Sequence, residues 1–199
     1  MTLTIGLTGS IATGKSTISK MFKELNIPVV DADLIAREVV EVGKPAYQKI
    51  VETFGKEILQ TNKEIDRKQL GAIIFADEKK RKQLNDIVHP AIREEMLRQK
   101  NKHITNKEKC VVLDIPLLFE SKLFHFVDKV LVVYTDEEIQ IKRLIARDKL
   151  SKEEALKRMN SQISIEEKKK QADAIINNNG TKEQSAEQLK ALLQKWGIL

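Results

Sequence analysis

Short runs of apolar residues, separated by amphipathic stretches, organise this sequence. Five of these runs are rich in β-branched residues and are bounded by turn residues, a pattern typical of buried strands. They cover residues 3–7, 28–30, 111–113, 130–134 and 174–176. Helical patterns separate most of them, and this alternation predicts an α/β fold whose parallel sheet is flanked by helices. Ligands of such sheets bind at the carboxyl ends of the strands.

Two connections between the predicted strands are too long for simple helical crossovers. Residues 34–105 have a mainly helical pattern, and we interpret them as a helical insertion that holds a substrate. Residues 137–171 are highly charged, and we interpret them as a mobile helical lid, the lid segment. The core around the sheet is predicted to consist of residues 1–33, 106–136 and 172–199.

The first apolar run leads directly into Gly-Ser-Ile-Ala-Thr-Gly-Lys-Ser at residues 9–16, and a helix is predicted at 17–25. Glycines allow a tight loop whose backbone N–H groups point at an anion beside the positive end of a helix. Lys15 would reach the β- and γ-phosphates of a nucleoside triphosphate, and the Ser16 hydroxyl would ligate Mg²⁺. A glycine turn with a capping serine is the alternative. The strand before and the helix after favour a phosphate-binding loop, the P-loop.

Two aspartates follow the second predicted strand. Alternation along the strand places Asp31 and Asp33 on one side of the chain, just past the strand's carboxyl end. Phosphoryl transfer to a hydroxyl group needs a carboxylate that accepts the proton. Capping of a predicted helix at 34–42 would explain only one of these aspartates. We therefore favour Asp33 as the general base with Asp31 in a supporting role, although the sequence leaves the choice between them open.

The third predicted strand also ends in an acid. Val-Val-Leu at 111–113 is followed by Asp114, and this Walker B pattern places a carboxylate where it holds Mg²⁺ directly or through water. The pattern alone is weak because many strands end in aspartate, but the P-loop strengthens it. Residues 115–120 then continue as an apolar segment that ends in Glu120, for which packing in the core is the default interpretation.

Seven segments of this sequence together resemble the dephospho-CoA kinase family. They lie at residues 6–17, 30–37, 89–90, 114–120, 140–148, 155–162 and 174–181. The P-loop segment is shared with very many enzymes. By contrast, Val-Asp-Ala-Asp-Leu-Ile-Ala-Arg at 30–37 and Asp-Ile-Pro-Leu-Leu-Phe-Glu at 114–120 are specific to the family. The segments run in order across nearly the whole chain.

The resemblance implies transfer of the γ-phosphoryl group of ATP to the ribose 3′-hydroxyl of dephospho-CoA, with Mg²⁺ as cofactor, in the last step of coenzyme A biosynthesis. It also implies a P-loop core, a helical CoA-binding insertion and a lid, and it matches Asp33 to the base. The implied contacts with ATP are Gly9, Ala12, Thr13, Gly14, Lys15, Ser16, Thr17 and Asn177. The implied contacts with the CoA substrate are Thr8, Asp31, His89, Leu117, Phe119 and Glu120. From the residues alone, His89 is explained equally well as the cap of a helix that begins at Pro90.

Arginines in the lid segment are further candidates for phosphate contacts. If residues 137–148 are helical, Arg143 and Arg147 lie one turn apart and share a face. Guanidinium groups suit phosphate oxygens and stabilise the charge of a transferring phosphoryl group. A solvent-exposed helix with ordinary charge pairs is the alternative. With the family resemblance we favour Arg143 as a catalytic residue, ahead of Arg147 and Arg158.

The composition also indicates the cellular compartment in which the protein works. Hydrophobic residues make up 41% of the chain and aromatic residues 5%, as in a soluble globular protein. No apolar run is long enough to span a membrane, and the first strand begins too early for a cleaved signal peptide. The single cysteine, Cys110, opens an apolar run and is predicted to be a buried thiol. These features indicate a cytoplasmic protein.

The net charge of +6 invites a nucleic-acid function, but the distribution of the charges argues against it. Basic residues alternate with Asp and Glu, as on solvated helix faces, and stacking aromatic residues are scarce. We expect ATP and dephospho-CoA as partners, with no nucleic acid and no membrane. The sequence does not predict the oligomeric state.

Two other functions are compatible with a P-loop. One is another small-molecule or nucleotide kinase, whose substrate choice would reside in residues 34–105. The other is a GTPase switch, which reads guanine with an Asn-Lys-x-Asp motif. Two Asn-Lys pairs, at 62–63 and 106–107, lack the final acid, and this disfavours the switch.

Overall fold

The computed structural model of the protein describes residues 2–199 and contains one five-stranded sheet. The strands are β1 (Leu3–Gly9), β2 (Val29–Asp31), β3 (Cys110–Asp114), β4 (Lys129–Tyr134) and β5 (Ala174–Asn177). Their order across the sheet is β2-β3-β1-β4-β5, and β3, β1, β4 and β5 pair in parallel. All five predicted strands are present, and no bound differs from the prediction by more than two residues. The predicted α/β fold is confirmed.

The register of the strands positions the P-loop. Leu7 of β1 lies opposite Asp114 of β3, and Gly9 lies opposite Val133 of β4. The central strand β1 therefore continues two residues beyond its last pairing with β3. Consequently the P-loop leaves the sheet at the same edge at which Asp114 ends its strand.

The described part of the chain contains nine α-helices. They are α1 (Lys15–Glu24), α2 (Ala32–Glu38), α3 (Pro45–Phe54), α4 (Arg67–Ala76), α5 (Glu78–Thr105), α6 (Glu137–Asp148), α7 (Lys152–Asn160), α8 (Ile165–Lys170) and α9 (Lys182–Lys195). The predicted bounds of α6 are confirmed, α1 begins two residues earlier than predicted, and α2 lies at 32–38 instead of 34–42. None of the helices within residues 2–199 combines the length and apolar character that a membrane crossing requires.

Residue contacts divide the chain into two compact units, each with its own core. One unit combines the residues up to Val30 with Lys100–Leu199, and the other is Asp31–Gln99. Buried residues of the first core include Ile5, Leu7, Phe22, Val112, Leu131, Leu189 and Leu193. The second core is built on Ile50, Phe54, Ile58 and Leu70. Cys110 belongs to the first core, as predicted, and burial raises the pKa of its thiol to about 12.

Helix α5 contains His89 and Pro90 in its interior, which differs from one of the two predictions for His89. Pro90 lies inside this 28-residue helix and does not begin it, so the capping alternative for His89 is wrong. An interior proline removes one backbone hydrogen bond and frees the carbonyl group four residues earlier, at Asp86. His89, Pro90 and Asp86 are all exposed, so water can satisfy the freed carbonyl group and the helix continues.

Candidate nucleotide-binding site

The P-loop connects β1 to α1 and contains two residues in the left-handed region. Ala12 has φ of 63° and Gly14, which caps α1, has φ of 90°. Glycine adopts such angles at little cost. A side chain at position 14 would also collide with the amide nitrogen of Asn178, which packs against the loop. The shape of the loop therefore depends on Gly14 and on a residue from the opposite end of the chain.

Alternate carbonyl groups of the P-loop accept hydrogen bonds from side chains of distant elements. The donors are Lys168 to Gly9 at 3.0 Å, Gln140 to Ile11 at 2.8 Å and Asn178 to Thr13 at 2.7 Å. The C=O and N–H of a trans peptide point in opposite directions, so the N–H groups that follow these carbonyls are turned away from the donors. The first N–H groups of α1 have no acceptor within the helix. The loop thus offers the backbone donors that bind phosphate.

Lys15 and Asp114, two of the predicted functional residues, form an ion pair. Lys15 is the first residue of α1 and Asp114 is the last residue of β3. Asp114 is 3% exposed, and Ser16 follows Lys15 as an exposed residue. The structure therefore brings the predicted phosphate-binding lysine to a predicted metal ligand at the carboxyl edge of the sheet.

The three arginines of the lid segment have different surroundings. Arg143 donates from Nη2 to the carbonyl group of Asn178 at 2.9 Å, so its guanidinium group lies beside the P-loop. Arg147 and Arg158 instead pair with Asp148, with N–O distances of 2.7 and 2.9 Å. Of these three arginines, therefore, only Arg143 is held beside the P-loop, by contacts within the unit that contains the sheet.

The two aspartates at the junction of β2 and α2 have different roles in the structure. The Oδ1 atom of Asp31 accepts hydrogen bonds from the N–H groups of Asp33 at 2.9 Å and Leu34 at 3.1 Å, and so caps α2. This cap explains why α2 begins at Ala32, two residues earlier than predicted. The exposed carboxylate of Asp33 lies in the first helical turn and takes no part in the cap.

The residues predicted to contact the CoA substrate differ in exposure. Leu117 is 43% exposed, and His89 is also exposed. Thr8 and Phe119 are buried, and the hydroxyl group of Thr8 donates to the carbonyl group of Pro116 at 3.1 Å. Thr8 therefore supports the backbone just before Leu117.

Glu120 takes part in a buried contact that sequence reasoning missed. Its Oε1 atom pairs with Nζ of Lys168 at 2.8 Å and accepts the N–H of Ile163 at 3.1 Å. The Lys168 side chain is fully buried, and its ammonium group also lies 5.9 Å from the ring centroid of Phe119. The run Glu-Glu-Lys-Lys-Lys at 166–170 suggests a solvated helix face. Ile165, one turn before Lys168, is the single local sign of a buried side.

We expect Lys168→Met to destabilise the protein by about 3 kcal/mol, because it leaves the Glu120 carboxylate without its buried cation. The double variant Lys168→Met/Glu120→Gln should recover at least half of this loss, and the exposed Lys170→Met should change little. Urea unfolding monitored by circular dichroism measures each free energy. A double variant no more stable than Lys168→Met would contradict this account of the pair.

The turn after β5 contacts the P-loop through Asn178, the residue next to Asn177, which stays a predicted contact with ATP. Asn178 is 6% exposed, and its Oδ1 atom accepts the hydroxyl of Ser185 at 2.9 Å while its amide nitrogen binds Thr13. Asn177 is exposed and accepts the N–H of Asn179 at 3.0 Å. Neighbouring asparagines look alike in a sequence, so only packing distinguishes them.

These features define a class of protein. A phosphate-binding loop between the central strand and the first helix, with a Walker B aspartate on the adjacent strand, makes this chain a P-loop nucleotide-binding enzyme. Residues 3–184 match the family model of dephospho-CoA kinase. The chain therefore belongs to the dephospho-CoA kinase family, and the predicted kinase function is confirmed at the level of the family.

Relatives and solved structures agree with this family. A dephospho-CoA kinase from Bacillus anthracis is 59% identical over 199 residues, which is 100% of both chains. The structure of dephospho-CoA kinase from Campylobacter jejuni is similar with a TM-score of 0.76 and 36% identity, over 98% of each chain. A crystal structure from Thermus thermophilus has a TM-score of 0.82 and 31% identity, over 98% of this chain and 97% of that one.

Proposed function

We propose that this enzyme transfers the γ-phosphoryl group of ATP to the ribose 3′-hydroxyl of dephospho-CoA and thereby completes coenzyme A biosynthesis. The observation that carries the proposal is the full-length identity of 59% to a dephospho-CoA kinase, together with the Lys15–Asp114 pair at the P-loop. The buried thiol of Cys110 suits a reducing compartment, and we propose that the enzyme works in the cytoplasm.

On the nucleotide side, we assign the phosphates of ATP to the P-loop. The backbone N–H groups and Lys15 would bind the phosphates in the ground state. Arg143 would add positive charge where charge develops on the transferring phosphoryl group. Closure of the α7 part of the lid segment over this site would exclude water, which otherwise competes with the acceptor hydroxyl.

Ser16 and Asp114 offer the oxygen ligands that Mg²⁺ prefers. Mg²⁺ usually takes one or two protein ligands and completes its coordination with phosphate oxygens and water. A hydroxyl group on the first turn of α1 and a carboxylate paired with the P-loop lysine fit this requirement. When bound, the ion would neutralise phosphate charge. Asp114 would then serve both as a ligand of the ion and as the partner of Lys15.

On the acceptor side, we assign the general base to Asp33, because capping of α2 occupies Asp31 and leaves Asp33 outside the cap. Asp33 would accept the proton of the 3′-hydroxyl group as its oxygen attacks the γ-phosphorus. The insertion at residues 34–105 would hold the CoA portion, with His89 and Leu117 as exposed contacts. Thr8 and Phe119 would act through packing.

The proposal is tested by incubating the purified chain with ATP, Mg²⁺ and dephospho-CoA while following ADP and the mass of the acceptor. We expect ADP release that depends on the acceptor and a mass gain of one phosphoryl group. Coenzyme A, whose 3′ position already carries phosphate, is the matched control and should release no ADP above background. Release of ADP without a phosphorylated acceptor would overturn the proposed substrate.

A further inference from the structure

Two glutamines of the lid segment hold a single P-loop residue from both sides. The side-chain nitrogen of Gln140, on α6, donates to the carbonyl oxygen of Ile11 at 2.8 Å. The side-chain oxygen of Gln162, just after α7, accepts the N–H of Ile11 at 3.0 Å. One glutamine acts as a donor and the other as an acceptor. Together they determine the orientation of both peptide groups that flank Ile11.

Ala12, the residue after Ile11, has a backbone conformation that contacts such as these can stabilise. Ala12 has φ of 63°, in the left-handed region that costs a residue with a side chain roughly 1 kcal/mol or more. Strained backbone persists where the surrounding contacts over-determine it. Because Gln140 binds the carbonyl group of Ile11, the N–H of Ala12, in the same peptide unit, is turned to the opposite side. The side-chain amide of Gln140 therefore decides where this backbone donor points.

The surroundings of Gln140 indicate a fixed contact. Gln140 is 1% exposed, and Leu144, one turn further along α6, is fully buried. Downstream of Gln162, Lys168 donates to the carbonyl group of Gly9 at 3.0 Å. The lid segment therefore binds the P-loop at both Gly9 and Ile11. The part of the lid segment between Gln140 and Gln162 is thus tied to the P-loop at both of its ends.

We propose that Gln140 and Gln162 are positioning residues that orient the peptide groups on either side of Ile11 for binding the phosphates of the nucleotide. The inference rests on the proposed binding of ATP, and it does not depend on which acceptor is phosphorylated. In this proposal the lid segment contributes to phosphate binding through the P-loop, without contacting the nucleotide at these two residues. Loss of either contact frees the Ile11 peptides to rotate and weakens nucleotide binding.

The same substitution at the two positions tests this inference. Gln140→Glu replaces the donor with an oxygen that faces the carbonyl oxygen of Ile11, whereas Gln162→Glu keeps the acceptor for the N–H of Ile11. We expect Gln140→Glu to weaken ADP binding by about tenfold, the scale of one lost hydrogen bond of full strength. Gln162→Glu should stay within about threefold of wild type. Isothermal titration calorimetry with ADP and Mg²⁺ measures both affinities.

Neutral variants and kinetics separate positioning from general stability. Gln140→Met and Gln162→Met should each raise KM for ATP by about tenfold with little change in kcat, because the contact serves ground state and transition state alike. KM for dephospho-CoA should not move. The exposed Gln194→Glu on α9 is the control for added charge and should behave as wild type.

Three outcomes would overturn the inference. Equal weakening by Gln140→Glu and Gln162→Glu would indicate a charge effect. Unchanged ADP affinity in both methionine variants would show that the contacts do not orient the loop, and lower melting temperatures with an unchanged KM for ATP would indicate a purely structural role. A wild-type enzyme that binds ADP but does not phosphorylate dephospho-CoA would instead refute the proposed function, and the ADP affinities would still decide this inference.

Discussion

Replacing Lys15 with methionine is expected to lower kcat/KM for ATP by about a thousandfold. This is the usual loss of rate when one preorganised charge beside the transferring phosphoryl group is removed. Lys15 is the only P-loop side chain that carries positive charge, and it pairs with the buried Asp114 at the edge of the sheet. Both KM for ATP and kcat should change, since the ammonium group binds the phosphates before and during transfer. Steady-state kinetics at varied ATP concentration measures the two effects.

Lys20→Met is the matched control for Lys15→Met. Lys20 lies on the same helix, its side chain is 78% exposed, and its 3.8 Å pair with Glu24 is a surface contact of little energy. This variant should retain wild-type kinetics. Lys15→Met loses an ion pair to Asp114, so a melting curve should accompany the kinetics. A folded Lys15→Met enzyme with kcat/KM within a few-fold of wild type would contradict the phosphate role of Lys15.

Asp33→Asn is expected to depress kcat by roughly a hundredfold or more, the usual scale for loss of a general base, while ADP affinity stays near that of wild type. Asparagine has nearly the same shape but accepts no proton at neutral pH. Asp33 is exposed and does not cap α2, so the substitution should also leave the melting temperature unchanged. Single-turnover measurement of phosphoryl transfer separates this chemical defect from product release.

Asp31→Asn and Asp86→Asn complete the comparison with Asp33→Asn. Asparagine caps helices as well as aspartate does, so Asp31→Asn should keep the cap of α2 and isolate the effect of the Asp31 charge. Asp86 is an exposed residue of α5, and its variant should behave as wild type. Loss of turnover in Asp31→Asn, with normal turnover in Asp33→Asn, would transfer the role of base to Asp31.

Local patterns were sufficient for the fold and for the centre of the site. The P-loop was recognisable because its glycines, Lys15 and Ser16 lie within eight residues, between an apolar run and a helical pattern. Asp114 was recognisable from four consecutive residues, the apolar run at 111–113 and the acid that follows it. Each of these signals depends on residues close to one another in the chain.

The cap of α2 shows where local patterns fail. The sequence allowed either aspartate to cap a helix, and it placed the start of that helix at residue 34. Asp31 and Asp33 are chemically identical, so the choice depends on the backbone angles at the end of β2. Asp31 is extended, with φ of −98° and ψ of 111°, which is the conformation of a capping residue. The helix therefore begins at Ala32.

The class of this protein, a P-loop core with a Walker B aspartate and two long connections, can be recognised from the order of its residues alone. Strand, loop and helix preferences depend on neighbours a few positions away, so they are visible along the chain. The side chains that bind the P-loop carbonyl groups, by contrast, become known only from the folded structure. Lys168, Gln140 and Asn178 bind loop residues that are 159, 129 and 165 positions away. Whether such a polar side chain is buried or solvated depends on the partner that folding places beside it, because a buried polar group is stable only when it is paired.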